Sequence, residues 1–229
     1  MAPTPPPAPN VLAVRFSSIG DVLLTTPLLR AIRRRHPESR ITVLTKAAYA
    51  PLIEDNPHVD EVIPIGPGQS LPQLAARIRG TGYTHLLDLH GSLRSRTLRA
   101  LVPGPWHGYP KYRAARALLI HGKRDRYPVR RPVAERYFTA ARGLDVHPDG
   151  EPPEFFLGEA AIHEAAIWLE AAGLGATRPL IAVAPGAAHA TKRWPVDHWR
   201  VLVDRMVEAG MDVVVVGGGL AGYCAAFEA

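Results

Sequence analysis

Two stretches of this 229-residue sequence place hydroxyls, small residues and charges at spacings that could do chemistry. The first is Ser17-Ser18-Ile19-Gly20-Asp21, which ends an apolar run and opens a helix-like pattern. A carboxylate in such a turn can accept a proton from a substrate hydroxyl held within about 3 Å. Gly20 would let the backbone turn sharply and approach a ligand. The same residues also suit a plain helix start, with Asp21 as a cap and Ser17 and Ser18 bonded to neighbouring amides. Spacing alone leaves both open.

The second stretch is Pro185-Gly186-Ala187-Ala188-His189-Ala190-Thr191-Lys192-Arg193-Trp194-Pro195. Small residues, a hydroxyl and two adjacent cations ahead of a helix can cradle a phosphate. Lys192 could then neutralise charge developing on a phosphate leaving group. The plainer alternative is a helix opened by Pro195, with Lys192 and Arg193 as surface cations.

Both stretches need elements to position them, and the hydrophobic pattern supplies these. Val11–Phe16, Ile41–Thr45, Glu61–Ile65 and His85–Leu89 are short apolar runs bounded by Gly, Pro or polar residues, as buried parallel strands are. Between them the pattern predicts helices over Asp21–Arg35, Ala47–Asp55, Leu71–Arg79 and Ser92–Ala100, with another at Val133–Arg142. In the first, Val22, Leu28, Leu29 and Ile32 share a face, Arg30, Arg33 and Arg34 fall largely outside it, and Pro27 marks a bend or a late start. The alternation implies right-handed crossovers over a parallel sheet. The Pro-, Gly- and acid-rich stretch 145–158 is the expected linker. Beyond it the alternation restarts with helix Ala160–Ala172, strand Leu180–Ala184, helix Val196–Ala209 and strand Asp212–Val216. The expected organisation is a disordered Pro-rich tail over 1–10, a domain over 11–144, the linker, and a partial second domain over 159–229.

Composition narrows the function. At 47% hydrophobic and 21% charged the chain can bury a core, and no apolar run approaches the ~18 residues that span a bilayer. The tail has neither a basic n-region nor an apolar h-region, so no secretory signal is expected. The single Cys224 permits no internal disulfide and no cysteine-rich zinc site. With no HExxH pair and no Asp-X-Asp motif in the sequence, no metal is expected. The net charge of +6 points to an acidic partner. Between Arg94 and Arg131, Asp125 is the one acid among Arg94, Arg96, Arg99, Lys111, Arg113, Arg116, Lys123, Arg124, Arg126, Arg130 and Arg131. That block suits phosphates, carboxylates or an anionic membrane surface, or is simply a solvated face. With aromatics at 7% and no recognised motif, a nucleic-acid partner is not expected.

Taken in order, VLAVRFSSIGDVLLTTPLLRAIRRRHP (11–37), HVDEVIPI (58–65), YTHLLDLHGSLRSR (83–96), IAVAPGAAHATKRWP (181–195) and WRVLVDRMVEAGMDVVVVGG (199–218) resemble glycosyltransferase family 9, the lipopolysaccharide heptosyltransferases. The resemblance implies an α/β, GT-B-like fold: a doubly wound Rossmann-like N-terminal acceptor domain and a second Rossmann-like donor domain. It implies heptose transfer from ADP-heptose to the acidic lipopolysaccharide inner core, with inversion, at the cytosolic face of the inner membrane. By the same resemblance Asp21 matches the general base, Ser17, Ser18 and Gly20 the loop lining the cleft, Arg94 a basic residue facing the acidic acceptor, and Thr191 with Lys192 the element contacting the donor diphosphate. No resident cofactor is implied, the nucleotide sugar being a substrate.

The family's later donor-site motif, an Asp-Thr/Ser-Gly segment followed by His, is not found, so a partial donor domain with little activity of its own is the expectation. Two rivals remain. Gly217-Gly218-Gly219-Leu220-Ala221-Gly222 satisfies G-x-G-x-x-G after a strand, as at the opening of an FAD-dependent oxidoreductase or a fusion junction, although the acidic partner expected ~20 positions on would fall beyond residue 229. A non-catalytic module binding anionic glycolipid through residues 94–131 is the other.

Overall fold

A computed structural model describes residues 7–187 and 189–217. The chain divides into two compact units, Met1–Leu157 and Gly158–Ala229.

The first unit is an α/β sheet wound in both directions. In chain order it comprises β1 (Asn10–Val14), α1 (Ile19–Leu23), α2 (Thr26–Arg35), β2 (Arg40–Lys46), a 3-10 turn (Ala47–Leu52), β3 (Glu61–Ile65), α3 (Leu71–Arg79), β4 (His85–Asp88), α4 (Leu93–Leu101), β5 (Trp106–Gly108), α5 (Arg113–Gly122), α6 (Val133–Tyr137) and a second 3-10 turn (Phe138–Ala141). Five parallel strands lie in the order β3-β2-β1-β4-β5. The alternation along β1 explains the two-sided core. Val11 and Ala13 face Val22, Leu28, Leu29 and Ile32 together with Tyr137 and Phe138. Leu12 and Val14 face Leu74, Ala75 and Ile78 of α3 and Leu98 of α4.

The predicted helix Asp21–Arg35 is in fact two. Thr25 Oγ1 donates to the Val22 carbonyl at 2.7 Å, and Pro27, lacking an N–H, sits in the first turn of α2. The predicted helix over Ala47–Asp55 is a shorter 3-10 turn containing Pro51. Two elements were not predicted: β5, a three-residue strand among prolines, and α5, which buries only Ala115.

Arg30 departs most from the pattern. It is 1% exposed rather than on the solvent side of α2. Its Nε and Nη2 donate to both oxygens of Asp149 at 2.7 and 2.8 Å, Nη1 pairs with Glu154 at 2.8 Å, and the Pro152 carbonyl accepts at 3.2 Å. Thr26 Oγ1 accepts the Glu154 amide at 2.8 Å. The stretch expected as a linker is therefore strapped over α2 in this part, because its acids are the partners of a cation the helix buries. At the other end, Pro9 and Asn10 are also fixed, not part of a loose tail. The Pro9 carbonyl accepts the Arg40 amide at 2.9 Å, and Asn10 donates to the Thr81 carbonyl at 3.0 Å. Residues 1–6 of the expected tail lie outside the described residues.

The second unit contains α7 (Glu159–Ala171), β6 (Leu180–Val183), a 3-10 turn (Ala190–Lys192), α8 (Val196–Glu208) and β7 (Asp212–Val215), with β6 and β7 parallel. Among its described residues Val183 and Val203 are the buried apolar side chains, while Ile162, Ile167, Trp168, Val201 and Val207 are exposed. Two strands offer little surface to cover two helices. Of the glycine run at 217–222, residues 218–222 lie outside the described residues.

Candidate active site

In a sheet of this order the connections leave β1 and β4 in opposite directions, and the crevice between their carboxyl ends is where ligands bind. The turns after β1 and β4 meet there. The Leu89 amide donates to the Val14 carbonyl at 3.1 Å and the Arg15 amide to the Leu44 carbonyl at 3.0 Å, so both turns start from a fixed frame.

Arg15 is the hub. Only 6% exposed, it donates from Nε to the Ser17 carbonyl at 2.8 Å and from Nη1 to the Leu89 carbonyl at 2.6 Å. Its Nη2 is ion-paired with the Asp21 carboxylate. The guanidinium also lies 5.9 Å from the centre of the Tyr137 ring, itself stacked edge-on against Tyr109. A guanidinium with its fork so committed has little freedom left.

Asp21 is the reverse: its side chain is 37% exposed and open to solvent beside this anchor. Ser18 Oγ donates to it at 3.4 Å. The capping alternative fails on geometry, since α1 has no side-chain cap and Asp21 turns to Arg15 instead. Ser17 contributes its carbonyl to Arg15, and the Ser17–Ser18 peptide bond is cis. Gly20 does not make the sharp turn expected of it. It sits within α1, and a Cβ there would meet open space.

The β4 turn brings residues that the motif did not single out. Buried Asp88 accepts from the His90 amide at 3.1 Å, the Gly91 amide at 2.7 Å and Ser95 Oγ at 3.0 Å. Gly91 has φ +57°, and a Cβ on it would come within 3.0 Å of the Lys111 side chain. The His90 ring packs on Phe16 with centroids 5.0 Å apart. Burial first, then the charges of Arg15 and Lys111, push its pKa down to about 4, so the imidazole is neutral at pH 7. Burial followed by Arg15 and Arg113 likewise lowers that of the Lys111 ammonium. Lys111 lines a cavity of about 260 Å³ with Asp88, Arg96, Arg99, Tyr109 and Arg113. Arg94 stands over the Phe16 ring at 5.6 Å and lines a separate cavity of about 480 Å³ with Lys46 and Gly66 to Gln69. The carboxylate of Asp21 is thus accompanied by cations suited to an anionic ligand.

Of the predicted residues, Ser17, Ser18, Gly20, Asp21 and Arg94 belong to this one region. Thr191 and Lys192 belong to the second unit, in its exposed 3-10 turn between β6 and α8, where the Lys192 amide donates to the His189 carbonyl at 2.9 Å. Arg193 Nε is bound to the Ala187 carbonyl at 2.6 Å, which leaves Lys192 the more available cation. Pro195 stands immediately before α8, which begins at Val196 as expected. Sequence reasoning missed Arg15, Asp88 and His90. The one available signal was a cation, Arg15, inside a run otherwise fit for a buried strand. Among the described residues no three His, Cys, Asp or Glu side chains cluster as metal ligands do, and no helix is long and apolar enough to cross a membrane.

The chain matches the family model "Glycosyltransferase family 9 (heptosyltransferase)" over residues 72–223, a span that takes in the glycine run read above as a dinucleotide fingerprint. It is 26% identical over 223 residues to lipopolysaccharide heptosyltransferase 2 of Salmonella typhimurium, covering 91% of this chain and 63% of that protein. It is similar in fold to a glycosyl transferase family 9 structure from Veillonella parvula, with a TM-score of 0.77 and 23% identity over 95% of this chain and 64% of that one. A similar likeness, with a TM-score of 0.67 and 20% identity, covers 95% of this chain and 69% of E. coli heptosyltransferase WaaC solved with ADP. The chain spans about 63% of the length of the first of these relatives. With the family model covering well over half of its residues, the chain belongs to glycosyltransferase family 9.

Proposed function

We propose that these residues form the acceptor side, and part of the donor side, of an inverting transferase that moves heptose from ADP-heptose to the acidic inner core of lipopolysaccharide. One observation carries this reading: the exposed Asp21 carboxylate, fixed by Arg15 at the carboxyl end of β1 with cation-lined cavities nearby. Asp21 takes the proton of an acceptor hydroxyl as its oxygen attacks the anomeric carbon. The bond from that carbon to the diphosphate breaks, and ADP leaves with the electron pair. Lys192, with Thr191, stabilises the departing diphosphate. The names of the relatives, and the ADP in one of them, support the donor.

The nucleotide sugar is the substrate and no resident cofactor is needed. The net charge of +6 supports peripheral attraction to an anionic membrane surface at the cytosolic face of the inner membrane. The test is to incubate a protein carrying this sequence, at the length of its relatives, with ADP-heptose and an inner-core acceptor. Equal amounts of ADP and heptosylated acceptor are expected. Acceptor binding without ADP release would instead mean a glycolipid-binding module.

A further inference from the structure

Asp21 stands on a helix that cannot hold itself. α1 has five residues, with Asp21 as its third, and a helix so short is not stable on its own hydrogen bonds. The sequence also breaks its end. In a continuous helix the Leu23 carbonyl would accept the N–H four residues on, but that residue is Pro27, which has none. Thr26 Oγ1 takes the place of the missing amide and donates to the Leu23 carbonyl at 2.8 Å. The same oxygen accepts the Glu154 amide at 2.8 Å. Thr26 is 0% exposed, so bulk water cannot stand in for either partner. An oxygen that donates and accepts at once strengthens both bonds. The far side of the strap is seated separately: the Glu154 carboxylate pairs with Arg30 at 2.8 Å and lies 3.5 Å from His58 Nε2, while Phe156 packs edge-on against the His58 ring.

We infer that Thr26 is a positioning residue for Asp21, and that through its hydroxyl the strap sets where α1 and the carboxylate on it stand. With the strap seated, α1 is closed at its C-terminal end and Asp21 is presented beside Arg15. With the strap lifted, the Thr26 hydroxyl loses its amide, its bond to the Leu23 carbonyl weakens, and α1 loosens. Residues 149–156 are also the stretch of chain that leads to the second unit. The proposed base is therefore tied, through one oxygen, to the chain's path out of its own unit. That this governs catalysis rests on reading Asp21 as the base; the coupling of strap to α1 does not.

The test is amide hydrogen exchange in the 229-residue chain, read by NMR at Val22 and Leu24, whose N–H groups bond the Ser18 and Gly20 carbonyls at 2.9 Å. Thr26→Val keeps the shape and removes the hydroxyl, and should speed exchange at both about tenfold, the scale of a buried polar group left unpaired. Thr26→Ser should restore most of the protection. Glu154→Pro removes the strap's amide N–H together with the carboxylate, whereas Glu154→Ala removes the carboxylate alone. Leu24 should exchange about fivefold faster in the proline variant than in the alanine one. Parent rates at Val22 and Leu24 in Thr26→Val, or equal rates in the two Glu154 variants, would overturn the inference. In a protein at the length of its relatives, Thr26→Val should lower kcat about tenfold with KM for ADP-heptose unchanged, and Thr26→Ser should recover it. Faster exchange beside an unchanged kcat, where Asp21→Ala does abolish turnover, would overturn the positioning role. Faster exchange where Asp21→Ala is also without effect would leave the coupling standing and overturn Asp21 as the base instead.

Discussion

The Arg15 guanidinium is ion-paired to the Asp21 carboxylate while its remaining N–H groups hold the carbonyls of Ser17 and Leu89. One buried side chain thus ties the turn after β1 to the turn after β4 and sets where the proposed base points. Arg15→Met should lower kcat on the order of 100-fold, the scale of a misplaced catalytic group. KM for ADP-heptose should hardly move, and Arg15→Lys should recover part of kcat. A uniform loss of soluble protein in both variants would reduce Arg15 to a structural role.

Gly20 leads to a separation of stability from activity. It lies in α1 with open space where a Cβ would be. Gly20→Ala should therefore keep or raise stability, by up to about 1 kcal/mol from helix propensity. If the loop lines the acceptor cleft, as the family resemblance implies, the added methyl next in sequence to Asp21 should raise KM for the acceptor. Thermal melts and acceptor titrations check the two halves of the expectation.

The sheet was legible and the hub was not, for one physical reason. Where partners are close in sequence, the pattern predicts well. β3 (Glu61–Ile65) and α3 (Leu71–Arg79) have the expected bounds, the latter fixed by a capping box between Ser70 and Gln73. Asp21 stood out as a candidate because a turn at the end of a parallel strand is a usual place for ligands to bind. Arg15, by contrast, finds its acceptor at Leu89, and Arg30 finds its acids at Asp149 and Glu154. Neither pairing leaves a local trace, and a buried arginine looks like a surface one until its partners are known.

The His90 imidazole gives a pH signature. Its pKa is depressed to about 4, so between about 6.5 and about 4 the unfolded chain binds a proton that the folded chain refuses. Stability therefore falls as pH drops through that window. His90→Gln should flatten part of this slope, with His58 and His85, also lowered by burial, supplying the rest. Proton NMR of the His90 ring should place its midpoint below pH 5. A midpoint near 6.5 would mean the ring is solvated.

The strap over α2 responds at lower pH. Arg30 holds the Asp149 carboxyl down to about 2, so the stability from this pair is complete above the ordinary carboxylate value near 3.9. It is lost as pH falls through about 2. Asp149→Asn should cost about 3 kcal/mol, the low end for breaking a buried ion pair, because Glu154 and two carbonyls still serve Arg30. Urea unfolding at pH 7 measures it.

Heptosyl transfer by the Asp21→Ala variant tests the central claim most directly. Measured in a protein with this sequence at the length of its relatives, kcat should fall about 10²–10⁴-fold, as expected for loss of a general base. The fold and ADP-heptose affinity should be retained. A variant that turns over at the rate of the parent would contradict the role given to Asp21, and with it the reading of the crevice between β1 and β4 as the place of proton transfer.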